Sequence, residues 1–172
     1  MEIIITESGM EFGPFKAEQV FHIEQSEIYA KLIKSFRIAD FLLIQKEHNR
    51  LLIVEAKSSS PHPGNSKEKF REFISNVAEK MIHAWQLTIS LLMRRHGQFH
   101  DELPAEFREL ANYASLDIVF MLIIRGHKKE WLVNVKDALD QHLRHVRKIW
   151  NARVIVYNDE QALSKGLVKK II

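Results

Sequence analysis

Two short apolar runs, Ile38 to Gln45 (IADFLLIQ) and Leu51 to Lys57 (LLIVEAK), flank the polar stretch Lys46-Glu47-His48-Asn49-Arg50 and constrain this chain more than any other feature. Runs this short and this uniformly hydrophobic do not suit surface helices, whereas the polar interruption suits a hairpin loop. They predict two antiparallel, largely buried strands. Centring the turn between Glu47 and His48 pairs residues whose numbers sum to about 95, which sets Asp40 opposite Glu55. The period of two then puts Glu55 and Lys57 on one face.

Asp40, Glu55 and Lys57 punctuate strands that are otherwise apolar, so their charges need partners. Two carboxylates about 4 Å apart repel by roughly 4 kcal/mol at an effective dielectric near 20, before any desolvation cost. One Lys brings a single positive charge against two or three negatives. A divalent ion bound by carboxylate oxygens is the simpler neutralising partner, and hard oxygen ligands favour Mg²⁺ or Mn²⁺ over Zn²⁺. Lys57 is then free to orient or deprotonate an activated water, or to stabilise charge on a phosphate oxygen, which describes metal-assisted phosphodiester hydrolysis. The competing reading is a salt-bridged cluster at a strand end, although buried ion clusters are costly and seldom kept for stability alone.

The surrounding elements follow from periodicity. Phe21, Ile28, Tyr29 and Leu32 share one arc of a helix predicted from about 17 to 35, with Glu24 at the edge of that arc and Glu27 nearly opposite its centre, among Lys31 and Lys34. Ser58 to Gly64 is loop by composition, and Asn65 with Glu68 resembles a capping box opening a helix from Ser66 to about His96. Its inner face uses Phe70, Phe73, Ile74, Val77, Met81, Trp85, Thr88 and Leu92, with Gly97 as the stop. Pro104 starts a shorter helical stretch through Ala114, and Leu116 to Arg125 reads as a central strand. Glu130 to Val135 is expected as another strand, Lys136 to Trp150 as an amphipathic helix, Arg153 to Tyr157 as a last strand, and Asp159 to Ile172 as a helical or frayed tail. Helices interleaved with apolar strands mean a mixed sheet covered on both faces, a three-layer α/β (α+β) domain.

At this point the chain resembles the PD-(D/E)xK nuclease superfamily, whose members share a restriction-endonuclease-like fold. The matching residues are Ala39-Asp40, with Ala where many members have Pro, and Glu55-Ala56-Lys57. The resemblance covers roughly residues 17 to 125 and implies an α/β/α core, with a central mixed sheet flanked by helices. It implies Mg²⁺-dependent cleavage of DNA, with Asp40, Glu55 and the main-chain carbonyl of Ala56 as metal ligands and Lys57 beside the attacking water. The family usually adds an acidic residue on the preceding helix, where Glu24 matches best and Glu27 is the alternative. It often adds a polar residue on the following helix, with Gln86 and Lys80 as candidates.

Composition bounds these expectations. With 172 residues, 46% hydrophobic and 27% charged, one domain spanning 1–172 is expected, its core at about 17–158. The absence of Cys removes disulfides, Cys-ligated zinc and thiol nucleophiles together and fits a reducing compartment. No apolar run approaches the ~18 residues that cross a bilayer, and the N-terminus lacks a basic secretory start, so a cytoplasmic protein without a membrane partner is the expectation. The net charge of +3 conceals an asymmetry: residues 1–34 carry −3 and residues 35–172 carry +6, a surplus suited to a polyanion. DNA is the expected partner, with RNA the alternative. Cutting both strands of a duplex takes two such sites and this chain has one, which predicts a homodimer.

Other motifs have plainer readings. His142 and His145 have i,i+3 spacing but no Cys or obvious third ligand, and the basic Arg144, Arg147 and Lys148 beside them suit a solvated face or phosphate contact better than zinc. Met93-Arg94-Arg95-His96 has similar standing. Trp85, Trp131 and Trp150 read as core, and Ser58 to Ser60 as a connector or a loop beside the substrate cleft. Two other functions stand beside the nuclease: a catalytically silent or partner-dependent nucleic-acid-binding subunit of the same fold, and an interaction domain with no nucleic-acid role.

Overall fold

The computed structural model describes residues 1–33 and 35–172, and of residues 32 and 33 the backbone alone. The expected place of the Leu32 side chain and that of Lys34 therefore lie outside the described residues. The fold is mixed α/β. Strands β1 (Glu2–Glu7) and β2 (Met10–Lys16) form a hairpin, and a short β3 (Val20–Phe21) precedes β4 (Phe41–Gln45) and β5 (Arg50–Lys57). Helix α1 (Lys67–Leu92), the short α2 (Ala105–Arg108) and α3 (Leu110–Ser115), and β6 (Asp117–Ile124) follow. Then come α4 (Leu132–His142), α5 (Arg144–Trp150), β7 (Arg153–Asn158), α6 (Asp159–Ser164) and β8 (Val168–Ile171). A five-stranded sheet has the order β3-β4-β5-β6-β7, and a three-stranded antiparallel sheet has the order β1-β2-β8.

The β4/β5 hairpin has the expected register, with Phe41 opposite Val54 and Leu42 opposite Ile53. The tight 3₁₀ turn Lys46–His48 and Asn49 at φ 50° reverse the chain between them. Strands β5, β6 and β7 run parallel, joined by helical crossovers. The period of two sorts their side chains into two cores. Leu51, Ile53, Phe120, Leu122 and Val156 face α1 and α4, while Leu52, Val54, Val119, Met121 and Ile123 face the small sheet and α6. Each fully buried Leu, Ile, Val or Phe contributes about 1.5–3 kcal/mol, so both faces of the large sheet are needed.

Three expectations are corrected. The helix from 17 to 35 is not formed: a 3₁₀ turn Ala17–Gln19, β3, a second 3₁₀ turn Ile23–Gln25 and a π-helical turn Tyr29–Ile33 take its place. The reason lies in neighbouring residues that serve opposite cores. Val20 packs in the core under the small sheet and Phe21 in the core under the helices, which a strand allows and a helix face does not. Glu130 to Val135 is no strand either, because Leu132, Val135 and Leu139 are buried at spacings of three and four and start α4. The tail past Asp159 contains both α6 and β8, and β8 pairs with β2, a partner far away in sequence.

Helix α1 keeps its predicted inner face, with Phe70, Ile74, Val77, Met81, Trp85 and Thr88 buried and Phe73 and Leu92 partly so. Its cap shifts by one residue: Ser66, not Asn65, accepts the Lys69 N–H at 3.3 Å. It also ends earlier than expected, at Leu92, with Arg94 left-handed at φ 55°, so Gly97 opens a separate 3₁₀ turn.

Candidate active site

The charged residues gather where β4 begins and β5 ends. Asp40 precedes β4 and is 4% exposed, and Glu55 on β5 is 0% exposed. Backbone hydrogen bonds fix this corner. Asp40 N–H donates to the Val54 carbonyl at 3.1 Å, Glu24 N–H to the Asp40 carbonyl at 3.4 Å, and Ala39 N–H to the Lys80 carbonyl of α1 at 3.1 Å. The last bond gives Ala39 a physical role that Pro could not fill, since Pro has no N–H to donate.

Glu55 and Asp40 are satisfied differently. Glu55 Oε1 accepts from Lys57 Nζ at 2.7 Å and from Lys80 Nζ at 2.8 Å. Its other oxygen, Oε2, is buried with no hydrogen-bond partner among the described residues. Burial alone would lower the Lys80 pKa, but the charges of Glu55, Asp40 and Glu24 outweigh it and raise it. Asp40 Oδ2 instead accepts the Ala56 N–H at 2.6 Å. Burial, reinforced by Glu55, pushes the Asp40 carboxyl up to about 8, against the opposing pull of the Ala56 N–H and Lys80.

A carboxylate from an unexpected quarter joins them. Glu7 ends β1, and one oxygen from each of Glu7, Glu24 and Asp40 lies within 4.8 Å of the others. Burial and then Glu24 raise the Glu7 pKa, partly offset by His22, whose Nε2 is 3.4 Å from Glu7 Oε1. The β1/β2 turn places Glu7 here. Ser8 and Gly9 have φ of 49° and 75°, a two-residue turn matched to strand twist, and Ser8 Oγ donates to the Ala56 carbonyl at 3.0 Å. Gly9 suits this φ, and a Cβ there would lie 2.1 Å from Arg125 Nη1, so the arginine side chain would have to move aside.

Of the residues singled out in the sequence, the structure brings together Asp40, Glu55, Lys57, Glu24 and Lys80. Glu24 arrives on the 3₁₀ turn Ile23–Gln25 rather than on a helix. Glu27 is exposed and paired with Lys31 at 2.7 Å, outside the cluster. The Ala56 carbonyl, expected as a metal ligand, accepts the Ser8 hydroxyl. Gln86 is exposed on α1 beyond the site, and Ser58 and Ser59 are exposed in the loop after β5. His142 and His145 are exposed on two different helices, and Arg147 is paired with Asp140 at 2.8 Å. Trp85 is buried as expected, while Trp131 is half-buried and Trp150 is 42% exposed. Glu7, Ser8 and His22 are the additions. The Ser8-Gly9 pair signals a turn, but nothing local in the sequence shows that this turn lies over the end of β5.

A cleft of about 420 Å³ opens on this cluster, lined by Glu24, Tyr29, Arg37, Lys57, Asn76 and Lys80 among others. Of the clustered carboxylates Glu24 alone lines it, together with the Lys57 and Lys80 ammonium groups. Compared with protein-family models, curated proteins and solved structures, the chain matches none. Among the described residues no helix is long and apolar enough to cross a membrane.

Proposed function

We propose that the chain is a metal-dependent nuclease of the PD-(D/E)xK type that hydrolyses phosphodiester bonds in DNA, built on a restriction-endonuclease-like core. The observation that carries this reading is the convergence of Asp40, Glu55, Lys57, Glu24 and Glu7 at one strand end. The order of parts supports it: an acidic residue before β4, a hairpin, Glu-x-Lys closing β5, a long helix and a parallel β6, with α1 and α4 on one face of the sheet.

The donor set suits a hard divalent ion. Glu7, Glu24 and Asp40, each with one oxygen within 4.8 Å of the others, are the residues that would hold it. Glu55, whose charge raises the pKa of both Asp40 and Glu7, keeps its Oε2 without a hydrogen-bond partner among the described residues. A bound ion would supply positive charge to the scissile phosphate and acidity to the attacking water. Asp40 would give up its proton on binding. Glu55 holds Lys57 and Lys80 at the cleft, where each ammonium keeps two further N–H donors for phosphate oxygens or the attacking water. Hydrolysis then adds water oxygen to phosphorus, breaks one P–O bond and leaves a proton for the departing alkoxide.

Purified protein with Mg²⁺ or Mn²⁺ is expected to nick or degrade DNA, and Asp40→Ala or Lys57→Ala to abolish this while the fold persists. A panel of plasmid, linear, single-stranded and branched DNA left uncut with both metals overturns the reading. The two lysines already bound to Glu55 favour one alternative, a catalytically silent nucleic-acid-binding subunit in which Lys57 and Lys80 are the resident counter-ions. Salt-sensitive binding without metal-dependent turnover distinguishes it.

A further inference from the structure

The cleft at the candidate active site does not end there. It shares Phe36 and Ile38 with a neighbouring cavity of about 280 Å³, and that cavity shares Gln86 and Ser90 with a third of about 440 Å³. The three form one groove along the outer side of α1. Asn76, Lys80, His83, Leu87 and Ser90 line it at spacings of four, three, four and three, a single helical stripe. From Asn76 to Leu92 the helix rises about 24 Å, a length for several nucleotides.

Two aromatic side chains stand exposed in this groove. Phe36 is 54% exposed, its ring edge-on to His83 at 5.5 Å, and Trp150 is 42% exposed, edge-on to the buried Trp85 at 4.9 Å. Their neighbours hold them in place, so little freedom remains to be lost on stacking. The exposed cations Arg37 and Arg95 line the groove beside them. Rings alternating with cations match a single nucleic-acid strand, whose bases offer free faces and whose phosphates need neutralising. Bases inside a duplex are already stacked on each other. A second copy of this chain suits the groove less well, because the centres of protein interfaces are depleted of charge.

We propose that this groove is a track for one strand of DNA leading to the candidate active site, with unpaired bases against Phe36 and Trp150 and phosphates toward Arg37 and Arg95. The proposal rests on the nuclease reading and narrows its substrate to single strands or frayed ends.

The test measures binding with no cleavage. In a metal chelator, fluorescence anisotropy of a labelled oligothymidylate is compared with that of a hairpin duplex and of oligouridylate. Tighter binding of the single DNA strand is expected, weakened roughly five- to hundredfold by Phe36→Ala and by Trp150→Ala. Arg37→Ala is expected to reduce the salt slope by about 0.7. Thermal melts verify folding, and because Phe36 and Arg37 are exposed, their variants keep the test decisive if Trp150→Ala unfolds. Equal or tighter binding of the duplex or of oligouridylate overturns the proposal, as does unchanged affinity of Phe36→Ala and Arg37→Ala. Dimerisation of the free protein that Phe36→Ala abolishes also overturns it. Metal-dependent cleavage assayed separately keeps the two ideas apart: cleavage with unaffected variants removes the track alone, and strand binding without cleavage removes the nuclease alone.

Discussion

Glu55 on β5 and Asp40 just before β4 are both nearly inaccessible, yet their surroundings are opposite. On the Glu55 side two lysines end on one oxygen, so positive charge is in surplus. On the Asp40 side Glu7 and Glu24 approach and a main-chain N–H is the nearest donor, so negative charge is in surplus. A buried ion pair with partners for every charge would be a plain structural cluster. This corner instead leaves one half short of a cation, and the burial that mainly raises the Asp40 and Glu7 pKa values is reinforced there by neighbouring carboxylates.

The sharpest way to break this contrast is to remove the centre of its balanced half. Glu55→Gln removes the one carboxylate in direct contact with both lysine ammonium groups and is expected to lower stability by about 3–5 kcal/mol, read from the urea midpoint. A small effect would mean that the lysines find other partners and that the halves are less different than the geometry indicates. The unbalanced half is tested by pH. Asp40 titrates at about 8 in the folded protein, above its ordinary 3.8, so the native state holds a proton that the unfolded chain has already released. Stability is therefore expected to fall as pH rises from about 4 to 8 in the presence of chelator, and Asp40→Asn to flatten that slope.

A divalent ion should erase the same difference. Mg²⁺ or Mn²⁺ at a hundred times its Kd is expected to stabilise the protein by about 2.7 kcal/mol, more at pH 8 than at pH 6, and Glu24→Gln or Asp40→Asn to abolish the gain in a thermal-shift series. No shift in wild type at either pH would leave the carboxylates without a cation to answer them. Ala39→Pro removes the N–H held by the Lys80 carbonyl and is expected to cost about 1–3 kcal/mol, measured by denaturant unfolding, which would loosen α1 from the Asp40 corner. Smallest of all, Glu27→Ala is expected to leave both melting temperature and metal response unchanged, since its carboxylate is exposed and pairs only with Lys31 among the described residues.

The β4/β5 hairpin was legible because it is local: two apolar runs, a polar break and a period of two determine its register, and with it the nearness of Asp40 and Glu55. Helix α1 was legible for the same reason, from spacings of three and four. What stayed hidden depends on distant partners. Val20 and Phe21 look helical beside Ile28 and Tyr29 until two cores on opposite sides of a sheet claim one each. Leu132 and Val135 sit in a β-branched stretch, and only the addition of Leu139 shows a helical stripe. Glu7 was missed since nothing near it in sequence reveals that the β1/β2 turn folds over the end of β5. Glu24, preferred to Glu27 on the phase of a helix that is not formed, comes beside Asp40 on a 3₁₀ turn instead, while Glu27 is exposed and paired with Lys31.

Strand β8 holds the hairpin that carries Glu7, through its pairing with β2. During translation β1 and β2 leave the ribosome early and wait for this strand, made after every other strand of the two sheets. The edge of β2 that β8 covers therefore stays unpaired until synthesis has reached residues 168–171, and until then the hairpin carrying Glu7 has only its packing on the large sheet to hold it.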